Sequence, residues 1–167
     1  RPIVGINNYR LGYDMTCALI RHGHQRILFM DTDHTTLHQS IHQRRAGYLR
    51  AMEAHGLPIP PAYRQWPLAV SSFRPELVLR LTSDGPDILR EPDPAKRTEA
   101  SVAVLGQIVE SLLHLSPRPD AVIAWEDATA MGLIRLLIDT GVQVPNDIRV
   151  AGFDNRVLRH CRTGLEH

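Results

Sequence analysis

Three histidines recur at every fourth position, His34, His38 and His42, and two aspartates, Asp31 and Asp33, lie just before them. In a helix this spacing places the imidazoles on one face, where they could hold a zinc ion. No glutamate lies between them as in the HExxH pattern of hydrolytic zinc enzymes, and a polar, solvated start of a helix explains the same residues. We therefore predict no metal site.

The sequence also lacks the short motifs on which much enzyme chemistry depends. It contains no GxGxxG, GxxxxGK[ST] or GxSxG segment. The sequence therefore gives no motif evidence for dinucleotide binding, phosphoryl transfer or serine hydrolysis. Cys17 lies beside Ala18 in an apolar helical pattern, where packing is expected rather than nucleophilic attack. We predict that the chain is not an enzyme and needs no cofactor.

The composition is that of an ordinary globular domain. The 167 residues are 43% hydrophobic and 22% charged, with a net charge of +1, which does not indicate a free-standing nucleic-acid binder. Cys17 and Cys161 are far apart and lack CxxC spacing, which favours a reducing cytoplasmic location over a disulfide framework. No apolar run approaches the roughly 20 residues needed to cross a bilayer, so no membrane partner is expected.

Strands and amphipathic helices alternate along most of the chain, which predicts an α/β fold: a doubly wound parallel sheet with helices on both faces. In such sheets ligands bind at the carboxyl ends of the strands. Pro58, Pro60 and Pro61 predict a loop, and 62–95 reads as a loop-rich insertion with one or two short strands. The predicted strands are 3–6, 26–30, 120–124 and 148–153, and the predicted helices end near Gly23, Gly56, His114 and Gly141.

Four segments, in this order, resemble the LacI/GalR family of bacterial transcription regulators. Residues 7–27 begin NNYRLG and end LIRHGHQRI, which is similar to the family's DN…G…A…L…GH+RI passage. The others are 44–48 (RRAGY), 118–132 (RPDAV, then DATAMG) and 144–155 (VPNDIRVAGFDN), similar to R..G(F/Y), RPDAV…D..A.G and VP.DI.V.GFDN. The resemblance covers roughly residues 4–155. It implies one lobe of a type I periplasmic-binding-protein-like fold, whose two lobes clamp a small effector.

The resemblance assigns three ligand contacts. Arg44 matches the family's effector-binding arginine, and its forked guanidinium suits a ring oxygen or a pair of hydroxyls. Asp154 matches the carboxylate that accepts from the ligand, and Glu126 occupies a polar position that faces the cleft. The alternative for Asp154 is a turn residue that bonds its own backbone. The alternative for Arg44 is a solvated arginine, as its neighbour Arg45 could also be. Asp127 is expected to be the N-cap of the following helix.

Three further residues are candidate ligand contacts. Asn7 replaces the family's usual aspartate, which removes a charge from the rim of the cleft. His38 occupies the position of an arginine in purine-binding members, which argues against a purine effector. Trp66, inside the insertion, could stack on a sugar face. The expected effector is therefore a sugar or a related polyol.

The resemblance also implies partners outside this chain. The family carries an N-terminal helix-turn-helix head, so operator DNA would be bound only through that absent domain, and a second copy would complete a homodimer. Residues 1–164 are interpreted as a single lobe, and 165–167 resemble the start of a vector-derived histidine tag. The alternative is a lobe of a periplasmic-type solute-binding protein. A small flavodoxin-like enzyme would need a phosphate-binding loop after the first strand, and NNYR is not one.

Overall fold

A parallel sheet forms the centre of the protein. The computed structural model describes residues 6–30, 39–64 and 106–153. Within these ranges, three strands lie side by side in the order β1, β2, β3, and both strand pairs are parallel. The strands are β1 (Ile27–Met30), β2 (Ala121–Ala124) and β3 (Arg149–Ala151).

Helices connect and cover these strands. Parallel neighbours need a crossover connection, and a helix supplies it here between β2 and β3. The helices are α1 (Asn8–Arg21), α2 (Gln39–Ala54), the short α3 (Pro61–Arg64), α4, described over 106–113, and α5 (Asp127–Asp139).

The two faces of the sheet bury separate apolar clusters because successive strand residues point to opposite sides. All eight residues of β1 and β2 are buried, as expected for strands covered on both faces. One cluster, under α4 and α5, includes Leu28, Met30, Val122, Ile108, Val109, Leu112, Leu133 and Leu137. The other, under α1 and α2, includes Ile27, Phe29, Ala121, Ile123, Leu19, Tyr48, Met52 and Phe153. The predicted doubly wound α/β architecture is confirmed.

Two glycines let α1 and α2 approach until their backbones touch. A Cβ atom at Gly12 would overlap the main-chain carbonyl of Arg44, and one at Gly47 would overlap the carbonyl oxygen of Tyr9. Each helix therefore presents a glycine to the backbone of the other. No residue with a side chain fits at either position without moving one helix.

The amino ends of β1 and β2 are joined by Asp120. Its carboxylate accepts from the backbone N–H groups of Gln25 and Arg26, at 3.3 and 3.1 Å, and lies 3.5 Å from Nδ1 of His24. Arg26 also donates from Nε to the carbonyl of Arg118 at 2.9 Å. The GHQRI and RPDAV segments thus meet at the edge of the sheet opposite to the strands' carboxyl ends.

Glycine ends α1, as predicted. Gly23 has a φ of 90°, and its N–H donates to the carbonyl of Ile20 at 2.9 Å. The N–H of His24 donates to the carbonyl of Leu19 at 3.2 Å, which completes a Schellman motif. Gly56 and Gly141 end α2 and α5 with the same pattern of hydrogen bonds.

Four sequence predictions need correction or lie partly outside the described residues. Pro61 does not start a loop: it is the first residue of α3, a position where proline is tolerated because that N–H has no helical partner. The last strand is shorter than the predicted 148–153. Ile6 is exposed and outside any strand, and the rest of the predicted strand 3–6 lies outside the described residues. So does the predicted insertion beyond residue 64.

No helix in the described ranges combines the length and the apolar character needed to cross a bilayer.

We expect Gly47→Ala to lower the free energy of unfolding by about 1–3 kcal/mol, because the new methyl group forces α1 away from α2. Gly106→Ala is the matched control, since a Cβ there meets no atom within 4 Å. That change should leave stability the same or raise it by up to about 1 kcal/mol through helix propensity. Urea unfolding followed by circular dichroism measures both, and equal effects would contradict the close helix contact.

Alkaline pH should destabilise the fold through two buried tyrosines. Burial raises the pKa of Tyr63 to about 12 and also raises the pKa of Tyr48. Their hydroxyls donate to the carbonyls of Pro117 and Ile27, at 2.8 and 2.9 Å. Unfolded tyrosines ionise near pH ~10, so this stabilisation is complete below pH ~10 and is lost as pH rises from there through the folded-state pKa.

The free energy of unfolding in urea, measured between pH ~8 and ~11, should therefore fall above pH ~10. Tyr63→Phe should make that fall shallower. An identical pH profile for Tyr63→Phe and the parent chain would show that Tyr63 plays no part.

Candidate functional site

Four segments converge at the carboxyl ends of the strands. The chain leaves β2 at Ala124 into Trp125 and Glu126, and it leaves β3 at Ala151 toward Phe153. The first turn of α1 and the middle of α2 reach the same edge, as the contacts of Arg44 show. The candidate site lies where parallel α/β sheets generally bind ligands.

Arg44 is the centre of this site. Only 7% of the residue is exposed. Its Nε donates to Oδ1 of Asn8 at 3.0 Å, and its Nη1 donates to the carbonyl oxygen of Trp125 at 2.8 Å. Its Cζ lies 4.5 Å from the centroid of the Phe153 ring, a cation–π geometry. These contacts hold the guanidinium in one orientation.

The sequence of α2 explains why Arg44 is buried and Arg45 is less so. Arg44, Tyr48 and Met52 follow each other at every fourth position and share the buried face of the helix. Gly12 allows α1 to pack against the backbone of Arg44. This contact brings the side chain of Asn8 close enough to accept a hydrogen bond from the guanidinium.

Glu126 begins α5. It is the N-cap, with φ −148° and ψ 164°, and its Oε1 accepts from the hydroxyl of Thr129 at 3.2 Å. The prediction that Asp127 is the N-cap is wrong by one position, because Asp127 is the first helical residue. Its negative charge there interacts favourably with the positive end of the helix dipole. Gly152 allows β3's exit to pass close by, since a Cβ there would lie 3.1 Å from the Cα of Asp127.

The other predicted contacts divide into two groups. Asn7 is exposed, and its side-chain oxygen caps α1 by accepting from the N–H of Arg10 at 2.9 Å. A ligand contact at Asn7 stays a prediction. His38, Trp66 and Asp154 lie outside the described residues.

Most of the histidine set also lies outside the described residues, and the described His42 is exposed. Across 6–30, 39–64 and 106–153, no three His, Cys, Asp or Glu side chains come together as a metal site would require.

Sequence reasoning missed two residues that contact Arg44. Asn8 and Phe153 both belong to quoted motifs, NNYRLG and GFDN, but neither was considered as a partner of Arg44. The spacing of Arg44 with Tyr48 and Met52 was a readable signal that this arginine is buried. Nothing in the sequence indicated which side chains would meet it.

A family model for the periplasmic binding protein-like domain matches residues 16–165. The chain belongs to this family. The matched residues span 150 of 167 positions and include α1 from Thr16, all three described strands and Arg44. The expected membership of the periplasmic-binding-protein-like fold is confirmed.

The relatives within this family are transcription regulators and not enzymes. Catabolite control protein A of Priestia megaterium is 28% identical over 94% of this chain. The HTH-type transcriptional repressor PurR of Vibrio parahaemolyticus is 29% identical over 89% of this chain. The chain spans 38% and 35% of these two relatives' lengths. The resemblance to effector-binding domains of the LacI/GalR family is confirmed.

Solved structures of LacI-family regulators share the fold. One from Bacillus cereus subsp. cytotoxis has a TM-score of 0.63 at 20% identity, and the match covers 95% of this chain and 44% of that one. One from Lactobacillus casei, with bound sucrose, has a TM-score of 0.56 at 25% identity, covering 91% and 45% of the two chains.

Proposed function

We propose that this chain is the ligand-sensing part of a LacI/GalR-type transcription regulator and that its Arg44 site binds a sugar or a related polyol. The observation that carries the proposal is the buried guanidinium held at the carboxyl ends of the strands. Burying a cation is costly unless acceptors replace its water, so a buried guanidinium at this edge of the sheet is a candidate for binding a ligand.

The chemistry of the site supports a neutral, hydroxyl-rich ligand. Arg44 supplies N–H donors, and Glu126 supplies carboxylate acceptors next to Trp125, whose carbonyl Arg44 contacts. Each hydroxyl of a sugar both donates and accepts, so a polyol can use both kinds of group. An anionic ligand would gain from Arg44 but would be repelled by Glu126.

The comparisons support the regulatory role. The relatives are regulators of transcription, and a LacI-family neighbour has sucrose bound. They favour this role over that of a periplasmic solute-binding protein. In the whole protein, an HTH head would bind operator DNA, and ligand closure would change that affinity, an allosteric coupling between two sites. A cytoplasmic location follows from this role.

The direct test is a titration of the purified chain with sugars, polyols and nucleobases, followed by tryptophan fluorescence. Trp125 is a suitable reporter because it lies between β2 and Glu126. We expect a saturable change with a sugar, at a weak dissociation constant of about 1 mM, because the family's site uses two lobes.

Arg44→Ala should weaken that binding about ten- to hundredfold, the range expected for losing hydrogen bonds from a charged group. Arg45→Ala is the matched control, one position along α2, and should change the affinity by less than about twofold. Thermal unfolding checks that both variants fold. Equal affinity of Arg44→Ala and the parent chain for the sugar would refute the site, and a preference for nucleobases would refute the ligand class.

The homodimer is also part of this proposal. Met131 and Ile138 are both 52% exposed, and they lie seven residues apart on one face of α5. Large apolar side chains that are exposed in line on a helix are typical of a contact surface. We assign this face to a second copy of the chain.

Sedimentation equilibrium at micromolar concentrations should show a dimer that the double variant Met131→Glu/Ile138→Glu converts to a monomer. Introducing two carboxylates into a symmetric interface leaves charges without partners. Leu11→Glu, at an exposed leucine of α1, is the control and should remain dimeric. A dimer that persists in the double variant would place the interface elsewhere, and a monomeric parent chain would contradict the dimer.

A further inference from the structure

A concave surface, which we call the α2 groove, lies on the exposed side of α2. Its volume is about 690 Å³, within the range of pockets that take small molecules. Four residues of α2 line it at helical spacing: Ala46, Leu49, Arg50 and Glu53. Arg44 belongs to the buried side of the same helix, so the α2 groove is distinct from the site at the carboxyl ends of the strands.

The floor of the α2 groove is apolar. Leu49, Leu57 and Ile59 line it, and each is half-buried and packs against the apolar cluster under α1 and α2. Gly56 ends α2 with a φ of 64°, and the N–H of Leu57 donates to the carbonyl of Met52 at 2.9 Å, which holds Leu57 beside the helix. Half-exposed apolar side chains gain free energy when an apolar group replaces the water next to them. The floor therefore suits the apolar part of a ligand.

The rim of the α2 groove carries an unbalanced positive charge. Nη1 of Arg50 donates to Oε2 of Glu53 at 2.8 Å, so these two charges offset one another. Arg64, the last residue of α3, also lines the groove and is exposed. Across residues 6–30, 39–64 and 106–153, no carboxylate forms an ion pair with Arg64. Its planar fork of N–H donors matches the two oxygens of a carboxylate.

We propose that the α2 groove binds a small amphipathic anion, in which a carboxylate is attached to an apolar chain or ring. The apolar part lies on Leu49, Leu57 and Ile59. The carboxylate pairs with Arg64 at the rim. This site and its ligand class do not depend on the proposed binding of a sugar at Arg44, since a sugar has neither the charge nor the apolar body that the groove matches.

Hexanoate is the probe, and the methyl groups of the floor report where it binds. In NMR spectra of the chain with 13C-labelled methyl groups, adding hexanoate should shift the signals of Leu49, Leu57 and Ile59 along a saturable curve. Arg64→Ala should weaken this binding about tenfold, because the charge-assisted hydrogen bonds to the carboxylate are lost.

Arg21→Ala is the matched control. Arg21 is also an exposed arginine and the last residue of a helix, α1, but it does not line the α2 groove. Its loss should change the affinity for hexanoate by less than about twofold. An equal weakening in Arg21→Ala and Arg64→Ala would show that only the overall charge of the chain attracts the anion, and it would overturn the assignment of Arg64.

Hexanol separates recognition of the charge from apolar attraction, because it has the same chain length without the carboxylate. In the parent chain hexanol should shift the same methyl signals, at an affinity about tenfold lower than that of hexanoate. Arg64→Ala should leave the affinity for hexanol within about twofold of the parent value. A defect in folding would instead weaken both ligands, and thermal unfolding checks for it.

The remaining outcomes decide the proposal independently of the sugar-sensing role. The proposal is overturned if hexanoate causes no saturable shift of the floor signals, or if Arg64→Ala binds it as tightly as the parent chain. Shifts confined to Met131 and Ile138 would place the ligand on α5 instead. Arg44→Ala should not change hexanoate binding, and a loss there would show that the anion occupies the Arg44 site rather than the α2 groove.

Discussion

A buried positive charge organises the part of this molecule in which the strands end. The interior of a protein solvates a guanidinium poorly, so Arg44 is tolerated only where acceptors and an aromatic face replace water. Asn8, the carbonyl of Trp125 and the ring of Phe153 come from three separate segments, and each must be in place at once. The orientation of Arg44 therefore depends on how firmly α1, α2 and the segments after β2 and β3 pack against one another.

Those contacts depend largely on the backbone. Gly12 and Gly47 set the distance between α1 and α2, and Gly152 sets the distance between the exit of β3 and the start of α5. At the opposite edge, the carboxylate of Asp120 binds backbone N–H groups at the start of β1. The two edges of the sheet therefore differ: one is joined by hydrogen bonds from a side chain to the backbone, and the other gathers the side chains that surround Arg44.

Local signals in the sequence predicted the fold well, because the periodicity of apolar residues and the glycines after helices act over a few neighbouring positions. The end of α1 at Gly23 is an example. Contacts between segments that are distant in the sequence were harder to predict. Arg44 was identified through a family resemblance, because the residue type alone does not distinguish a buried arginine from a solvated one. Its partner Asn8 is 36 positions away in the sequence, so no local pattern links the two. Pro61 was misjudged because proline stops a helix in its interior but not at its first residue.

The same division bears on ligand specificity within the family. Relatives at comparable identity include a repressor named for arabinose metabolism, PurR repressors and a catabolite control protein. Main-chain acceptors such as the carbonyl of Trp125 do not change with the side chain they follow, so they can orient an arginine in a constant way. A side-chain acceptor such as Asn8 can be replaced by a single mutation. On the proposed role of Arg44, a change in ligand preference would need only a substitution at a residue that contacts the arginine, with no change in the fold.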